Sequence, residues 1–146
     1  MYDYSQVNAM VDTHQHELIG LYYSYVHPSL PILEDRDAFD AAISSGTVPA
    51  SLVAAVYCSA IRFWHLEPKL AKVEPLTRES LYKYIFSAVS LEARTPSLRT
   101  IQALLIYLQI TPFHVREPNH PGFWALTSQV RQNRIPIHHP RPIMTR

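Results

Sequence analysis

The chain has one cysteine, three glycines and a formal charge of only +1, from thirteen Lys and Arg against twelve Asp and Glu. Each shortage closes a class of function. A lone thiol, Cys58, forms neither an intrachain disulfide nor a thiolate metal cage. Three glycines do not furnish the phosphate-cradling loop of a nucleotide-binding enzyme. A balanced charge lacks the cationic excess on which sequence-independent contact with nucleic-acid phosphates depends. Long apolar runs are missing too. The most apolar segments, Ser51 to Trp64 and Ile101 to Ile110, fall short of the roughly 20 residues a membrane-spanning helix needs. Met1-Tyr2-Asp3-Tyr4-Ser5-Gln6 has no basic region leading into an apolar one and does not read as a secretory signal. A reducing intracellular compartment fits these absences.

Apolar side chains, in contrast, are plentiful. At 47% hydrophobic, a chain of 146 residues can bury a core large enough for one domain. The stretch Leu18 to Leu33 is the richest. It drives an aromatic helix into a rigid turn at Pro28 and Pro31, and its content is packing rather than chemistry.

The spacing of apolar residues sets an all-α reading. Asp12 is the expected cap of a first helix, with Leu18, Leu21, Tyr22 and Tyr25 on one buried face. Pro28 should hold His27 out of the helical region. Asp35 caps a short helix with Ala38, Phe39, Ala42 and Ile43, ended by Gly46. The next helix runs from Ala50 to about His65 and has little surface left for water. Glu67 to Pro75 reads as an exposed linker. Thr77 caps a helix to about Ala93, buried through Leu81, Tyr84, Ile85, Ala88 and Leu91. Ser97 caps another, with Ile101, Leu104, Leu105 and Leu108 inward and Pro112 just past its end. A last short helix, 122–130, buries Phe123, Trp124, Leu126 and Val130 in part. The prolines beyond it give an irregular basic tail. The expected architecture is an irregular array of five to six helices, divided as an N-terminal extension at 1–11, a helical domain at 12–130 and a tail at 131–146.

Constellations of the kind that carry catalysis fail on spacing. His14-Gln15-His16-Glu17 lacks the second histidine of a zinc-protease helix, because position 20 is Gly20. His138-His139 sits in a stretch with no folded shell to fix further ligands. Cys58 lies in an apolar helix, where a thiol stays protonated. His65 and Glu67 are two apart and need not face one another. Tyr22, Tyr23 and Tyr25 offer a ligand-facing cluster, yet two of them fall on the buried stripe, so packing is the preferred reading. Arg131, Arg134, Arg141 and Arg146 make the end of the chain basic, without a basic or recognition helix to set register on DNA. No cofactor or metal is expected.

Three blocks, in order, resemble the regulatory region of fungal zinc-cluster transcription factors of the xylanolytic-activator type. The first is Leu21-Tyr22-Tyr23-Ser24-Tyr25-Val26-His27-Pro28 with Leu30-Pro31-Ile32-Leu33 and then Phe39. The second is Pro96 to Leu105, including Gln102, Leu104 and Leu105, and the third is Phe123-Trp124-Ala125-Leu126-Thr127-Ser128-Gln129. The likeness spans roughly Leu18 to Gln129. It implies an all-helical, non-catalytic module of a nuclear regulator. That module contacts the rest of the transcription factor, a coregulator or a small-molecule effector. In the family, DNA is contacted by a separate six-cysteine, two-zinc cluster; with Cys58 alone, this chain carries no such cluster, and direct DNA contact is not expected of it. After the third block the sequence departs from the family pattern at Arg131-Gln132-Asn133-Arg134-Ile135-Pro136, which suggests a module truncated relative to the family. A small helical enzyme using His16 or His65 with neighbouring carboxylates is the competing reading, and an inert truncated product is the third.

Overall fold

The computed structural model describes residues 3–110. Their elements are α1 (Tyr4–Val11), α2 (Gln15–Leu21), a π turn (Tyr22–Val26), α3 (Arg36–Ser44), α4 (Ala50–Ala60), a 3-10 turn (Ile61–Leu66), α5 (Arg78–Glu92) and α6 (Leu98–Ile110), with no strand among the described residues. The irregular all-α array expected from the sequence is what forms. Phe123, Trp124, the helix expected at 122–130 and the tail at 131–146 lie outside the described residues.

The array is built around α4. Its sequence, Ala-Ser-Leu-Val-Ala-Ala-Val-Tyr-Cys-Ser-Ala, contains no charge, and all eleven residues are buried. A helix apolar all round is stable only when neighbours cover every face. Here α5, α6, α2, the π turn and α1 all pack against it. The small residues Ser51, Ala54, Ala55, Ser59 and Ala60 let those neighbours approach closely, while Leu52, Val53 and Val56 fill the spaces between them. Its two serines do not strand their hydroxyls. Ser59 donates to the Val56 carbonyl at 2.8 Å, and Ser51 donates to a Glu92 carboxylate oxygen at 2.8 Å.

Several expectations need correction. Asp12 does not cap the first long helix but ends an earlier one. Tyr4–Val11 is helical, with Val7 and Val11 fully buried, and Asp12 reverses the chain at φ 53°. With ψ at −127° this lies outside the αL well and is a strained conformation for a residue with a side chain. Tyr25 does not share the buried face of Tyr22. The π turn, closed by the His27 amide donating to the Tyr22 carbonyl at 2.9 Å, inserts one residue per turn and brings Val26 inward in place of Tyr25. Tyr25 stacks instead on Phe63 at 5.2 Å on the surface. His27 itself stays helical despite Pro28, because Ser29 and Leu30 both bond back to the Val26 carbonyl and carry the turn onward.

The supposed linker at 67–75 is also more than a linker. Leu70 is buried within it, and Trp64 Nε1 donates to the Val73 carbonyl at 3.0 Å. Leu91 points outward and Val89 inward on α5. On α6 the buried residues are Thr100, Gln102, Ala103, Leu104, Ile106, Tyr107 and Ile110, while Ile101 and Leu105 are exposed by 43% and 41%. The reason is polar. Gln102 is drawn in by a backbone carbonyl, and Tyr107 stacks on Tyr82 at 4.7 Å. Rotation to serve those partners turns Leu105 out.

Candidate functional site

Two regions near α2 and α3 contain the polar groups from which a site can be built. The first is a clamp that joins the first motif block to the second. After the π turn, Pro28 and Pro31 lie exposed and steer the chain across the molecule, so that Ile32 and Glu34 reach α6. There Arg99 grips Glu34 with both terminal nitrogens, NH1 to Oε2 at 2.7 Å and NH2 to Oε1 at 2.6 Å. Gln102 Nε2 donates to the Ile32 carbonyl at 2.6 Å, and the Tyr23 hydroxyl donates to the Glu34 carbonyl at 2.8 Å. Three side chains, through four hydrogen bonds, thus lock one strap of backbone. The Arg99 guanidinium holds the Glu34 carboxyl below its usual range, chiefly through those hydrogen bonds.

Beneath the strap sit the aromatics that the sequence reading singled out. Tyr22 and Phe39 are fully buried, Leu21 and Leu104 nearly so. Tyr23 meets Tyr22 edge-on at 5.3 Å, the His27 ring at 4.9 Å and Phe39 at 6.2 Å. The hydroxyl of Tyr22 and Nδ1 of His27 are buried without a protein partner. Burial pushes the Tyr22 and Tyr23 phenols well above their ordinary range, so both stay neutral. The clamp is a packing device: neither group has a charge to give or take near neutral pH.

The second region is a cleft of about 560 Å³ between α1, α2, α3 and α4. Ile19, Ile43 and Val53 give it an apolar floor, and Tyr4, Asn8, Gln15, Ser44 and Tyr57 bring hydroxyls and carboxamides to it. His16 and Asp40 complete the wall. Burial, followed by the nearby charges of Asp40 and Tyr4, pushes the Tyr57 phenol up to about 12. The Tyr4 hydroxyl is buried beside the Val48 backbone without a hydrogen bond of good geometry.

His16 and Asp40 are the histidine and acid that a hydrolytic reading would pair, but Arg36 stands between them. Its NH2 lies 3.4 Å from His16 Nε2, and its Nε lies 3.7 Å from Asp40 Oδ2. Gly20 makes room for this guanidinium: a Cβ there would come within 3.4 Å of Arg36 NH1. The histidine therefore meets a cation rather than the carboxylate that would orient a general base. His65 is exposed on the 3-10 turn, and the neighbouring Glu67 accepts from the Lys69 amide instead. Cys58 is buried, and its thiol is pushed up to about 12 by that burial. Among the described residues no three His, Cys, Asp or Glu side chains cluster as metal ligands.

The sequence reading found Tyr22, Phe39, Gln102 and Leu104, which the structure brings together around the strap. It passed over Glu34 and Arg99, although Arg99 stood inside the second block; two opposite charges 65 positions apart carry no local signal of pairing. It also passed over every polar residue of the cleft except His16, because Asn8 and Gln15 are indistinguishable in sequence from solvated surface.

No solved structure matches the chain. A Transcriptional activator protein, DAL81 of Saccharomyces cerevisiae, is 28% identical over 131 residues, covering 88% of this chain and 13% of its own length. An uncharacterized transcriptional regulatory protein of Schizosaccharomyces pombe is 35% identical over 98 residues, covering 66% of this chain and 15% of its own. The chain thus spans about one seventh of the length of these curated relatives. The model of the fungal specific transcription factor domain matches residues 19–136, from α2 through the clamp to beyond α6, and the chain belongs to that family.

Proposed function

We propose that this chain acts as a non-catalytic regulatory module of a transcription regulator, working in the nucleus through contacts with the rest of that regulator or with a coregulator. The observation that carries the reading is the clamp. The family match runs through both of its halves, and the residues those halves contribute hold shape rather than perform chemistry. A module locked by a few long-range polar bonds over a dry core has two ways to pack, strapped and released. A partner or effector that favours one of them shifts the population. No helix among the described residues is long and apolar enough to cross a membrane. Sequence-specific DNA contact is assigned to another part of the regulator.

The test places the full chain between a heterologous DNA-binding domain and an activation domain and measures reporter output in yeast. The expected result is an output several-fold different from that of a flexible linker of equal length, moved toward the linker value by Arg99→Ala. Output equal to the linker's, with a fluorescent fusion of the chain spread evenly between nucleus and cytoplasm, would sink the reading.

A further inference from the structure

The cleft between α1, α2, α3 and α4 does none of the work of the clamp. Its volume of about 560 Å³ lies within the range of small-molecule sites. The hollow beside Cys58 and Arg78, by comparison, has about 10 Å³, room for no more than one water. The cleft has the two features of a recognition site: an apolar floor at Ile19, Ile43 and Val53, and convergent hydrogen-bonding groups from four separate elements.

Its charge is balanced from within. Asp40 is the one carboxylate of the wall, and Arg36 already faces it from 3.7 Å. The Tyr4, Ser44 and Tyr57 hydroxyls and the Asn8 and Gln15 carboxamides are neutral donors and acceptors. The Tyr4 hydroxyl is buried beside the Val48 backbone and makes no hydrogen bond of good geometry. A charged ligand entering this wall must compete with an existing ion pair, whereas an uncharged one meets neutral groups. The Ser44 hydroxyl already donates to the Asp40 carbonyl and the Gln15 amide nitrogen to the Asp12 carbonyl, which leaves the Gln15 carboxamide oxygen as an acceptor beside Asn8 and Tyr57.

We infer that this cleft binds a small uncharged metabolite rich in hydroxyl or carboxamide groups, held over Ile19 and Val53 and bonded by Tyr4, Asn8, Gln15 and Tyr57. The inference rests on the regulatory reading above and gives it a ligand. Because the four walls come from α1, α2, α3 and α4, a bound molecule bridges the N-terminal hairpin of helices to the element that follows the strap. Binding then stabilises the strapped packing by mass action.

Methyl NMR of the full chain, labelled at isoleucine and valine, tests this. The probes are D-glucose for hydroxyls, acetamide for a carboxamide and N-acetylglucosamine for both, with glucosamine and glucuronate as cationic and anionic counterparts. Expected are saturable shifts at Ile19, Ile43 and Val53 with an uncharged probe, and binding about tenfold weaker or more for the charged pair. Whether glucose or acetamide shifts the methyls identifies the hydroxyl or the carboxamide as the recognised group. Tyr57→Phe, which removes only the hydroxyl, should weaken binding about 5- to 10-fold. Ser44→Trp, at an exposed position on the rim, should abolish binding while leaving the thermal midpoint in place. Absence of saturable shifts with all three uncharged probes overturns the inference, as does equal binding of the charged pair or undiminished binding in Ser44→Trp. The reporter assay needs no ligand. A module that controls the reporter but binds nothing therefore sinks only this inference, and one that binds but controls nothing sinks only the regulatory reading.

Discussion

Helices α4 and α6 are both predominantly apolar, yet α4 is covered on every face and α6 leaves Leu98, Ile101 and Leu105 exposed by 71%, 43% and 41%. Apolar bulk does not bring burial. The sheathed helix is rich in alanine and serine, and the half-sheathed one is rich in leucine and isoleucine. What separates them is what each requires from its surroundings. A charge-free run of small residues has no face that prefers water and accepts neighbours at close range all round. A leucine-rich helix has several serviceable apolar faces, and its orientation is decided by the polar residue with a fixed partner, here Gln102 at the Ile32 carbonyl.

The comparison breaks most visibly on truncation. Leu52→Ala on α4 removes a fully buried side chain from a site closed on all sides, and should lower unfolding free energy by about 2–5 kcal/mol. Leu105→Ala on α6 deletes the same atoms from a position 41% exposed, and should cost less than about 1 kcal/mol. Chemical denaturation of the two variants measures both. Equal losses would mean that Leu105 is buried in solution and that α6 is oriented as hydrophobicity alone suggests.

Gln102→Leu sharpens the point because it makes α6 more apolar on its inner face. If hydrophobicity oriented the helix, the substitution would stabilise the fold. The structure predicts destabilisation of about 1–3 kcal/mol, since the Ile32 carbonyl is left without its donor beside a well-packed wall.

Periodicity was enough to find five of the six helices and their caps at Asp35 and Ser97, because those depend on residues close in sequence. The Asp35 carboxylate accepts from the Ala38 amide at 2.9 Å, and Ser97 Oγ accepts from the Thr100 amide at 3.2 Å. Features decided by distant partners were not legible. The inward turn of Gln102 needs Ile32, 70 positions away. The π turn at Tyr22 looks in sequence like ordinary helix, so Tyr25 reads as core. The cleft is a gap between four elements, and no pattern along one chain describes a gap. The aromatic core of the candidate region was therefore readable, while the ion pair that closes it and the cavity beside it were not.

Arg99→Ala at the foot of α6 is the next test in size. The two side chains are about a quarter exposed, 26% for Arg99 and 25% for Glu34, so the loss should be about 1 kcal/mol, at the upper end for a partly solvated pair. Gln102 and Tyr23 still hold the strap. Nuclear magnetic resonance of Arg99→Ala should accordingly show the strap amides exchanging faster while those of α4 keep their protection.

The smallest effect is electrostatic and sets the two helices against each other through their carboxylates. Arg99 lowers the pKa of Glu34 in the folded state. Its contribution is present above the ordinary carboxylate range and fades as pH falls through the depressed folded value. Glu92 bonds Ser51 of α4 from a half-buried position, and burial raises its pKa. Its contribution is fullest below the ordinary carboxylate range and is lost as pH rises through the raised folded value. Acidification thus weakens the α6 strap while relieving the desolvation of the Glu92 charge beside α4, although the Ser51 hydrogen bond itself favours the ionised carboxylate. Glu92→Gln keeps an acceptor for Ser51 and removes the ionisation, so it should stabilise the protein at neutral pH by under about 1 kcal/mol and leave the acid limb, governed by Glu34, unmasked. Unfolding curves of Glu92→Gln and wild type at a series of pH values decide it. A variant that is less stable at neutral pH, or whose acid limb is as shallow as that of wild type, would show that the Glu92 charge is well solvated and that α4 is not closed on that side.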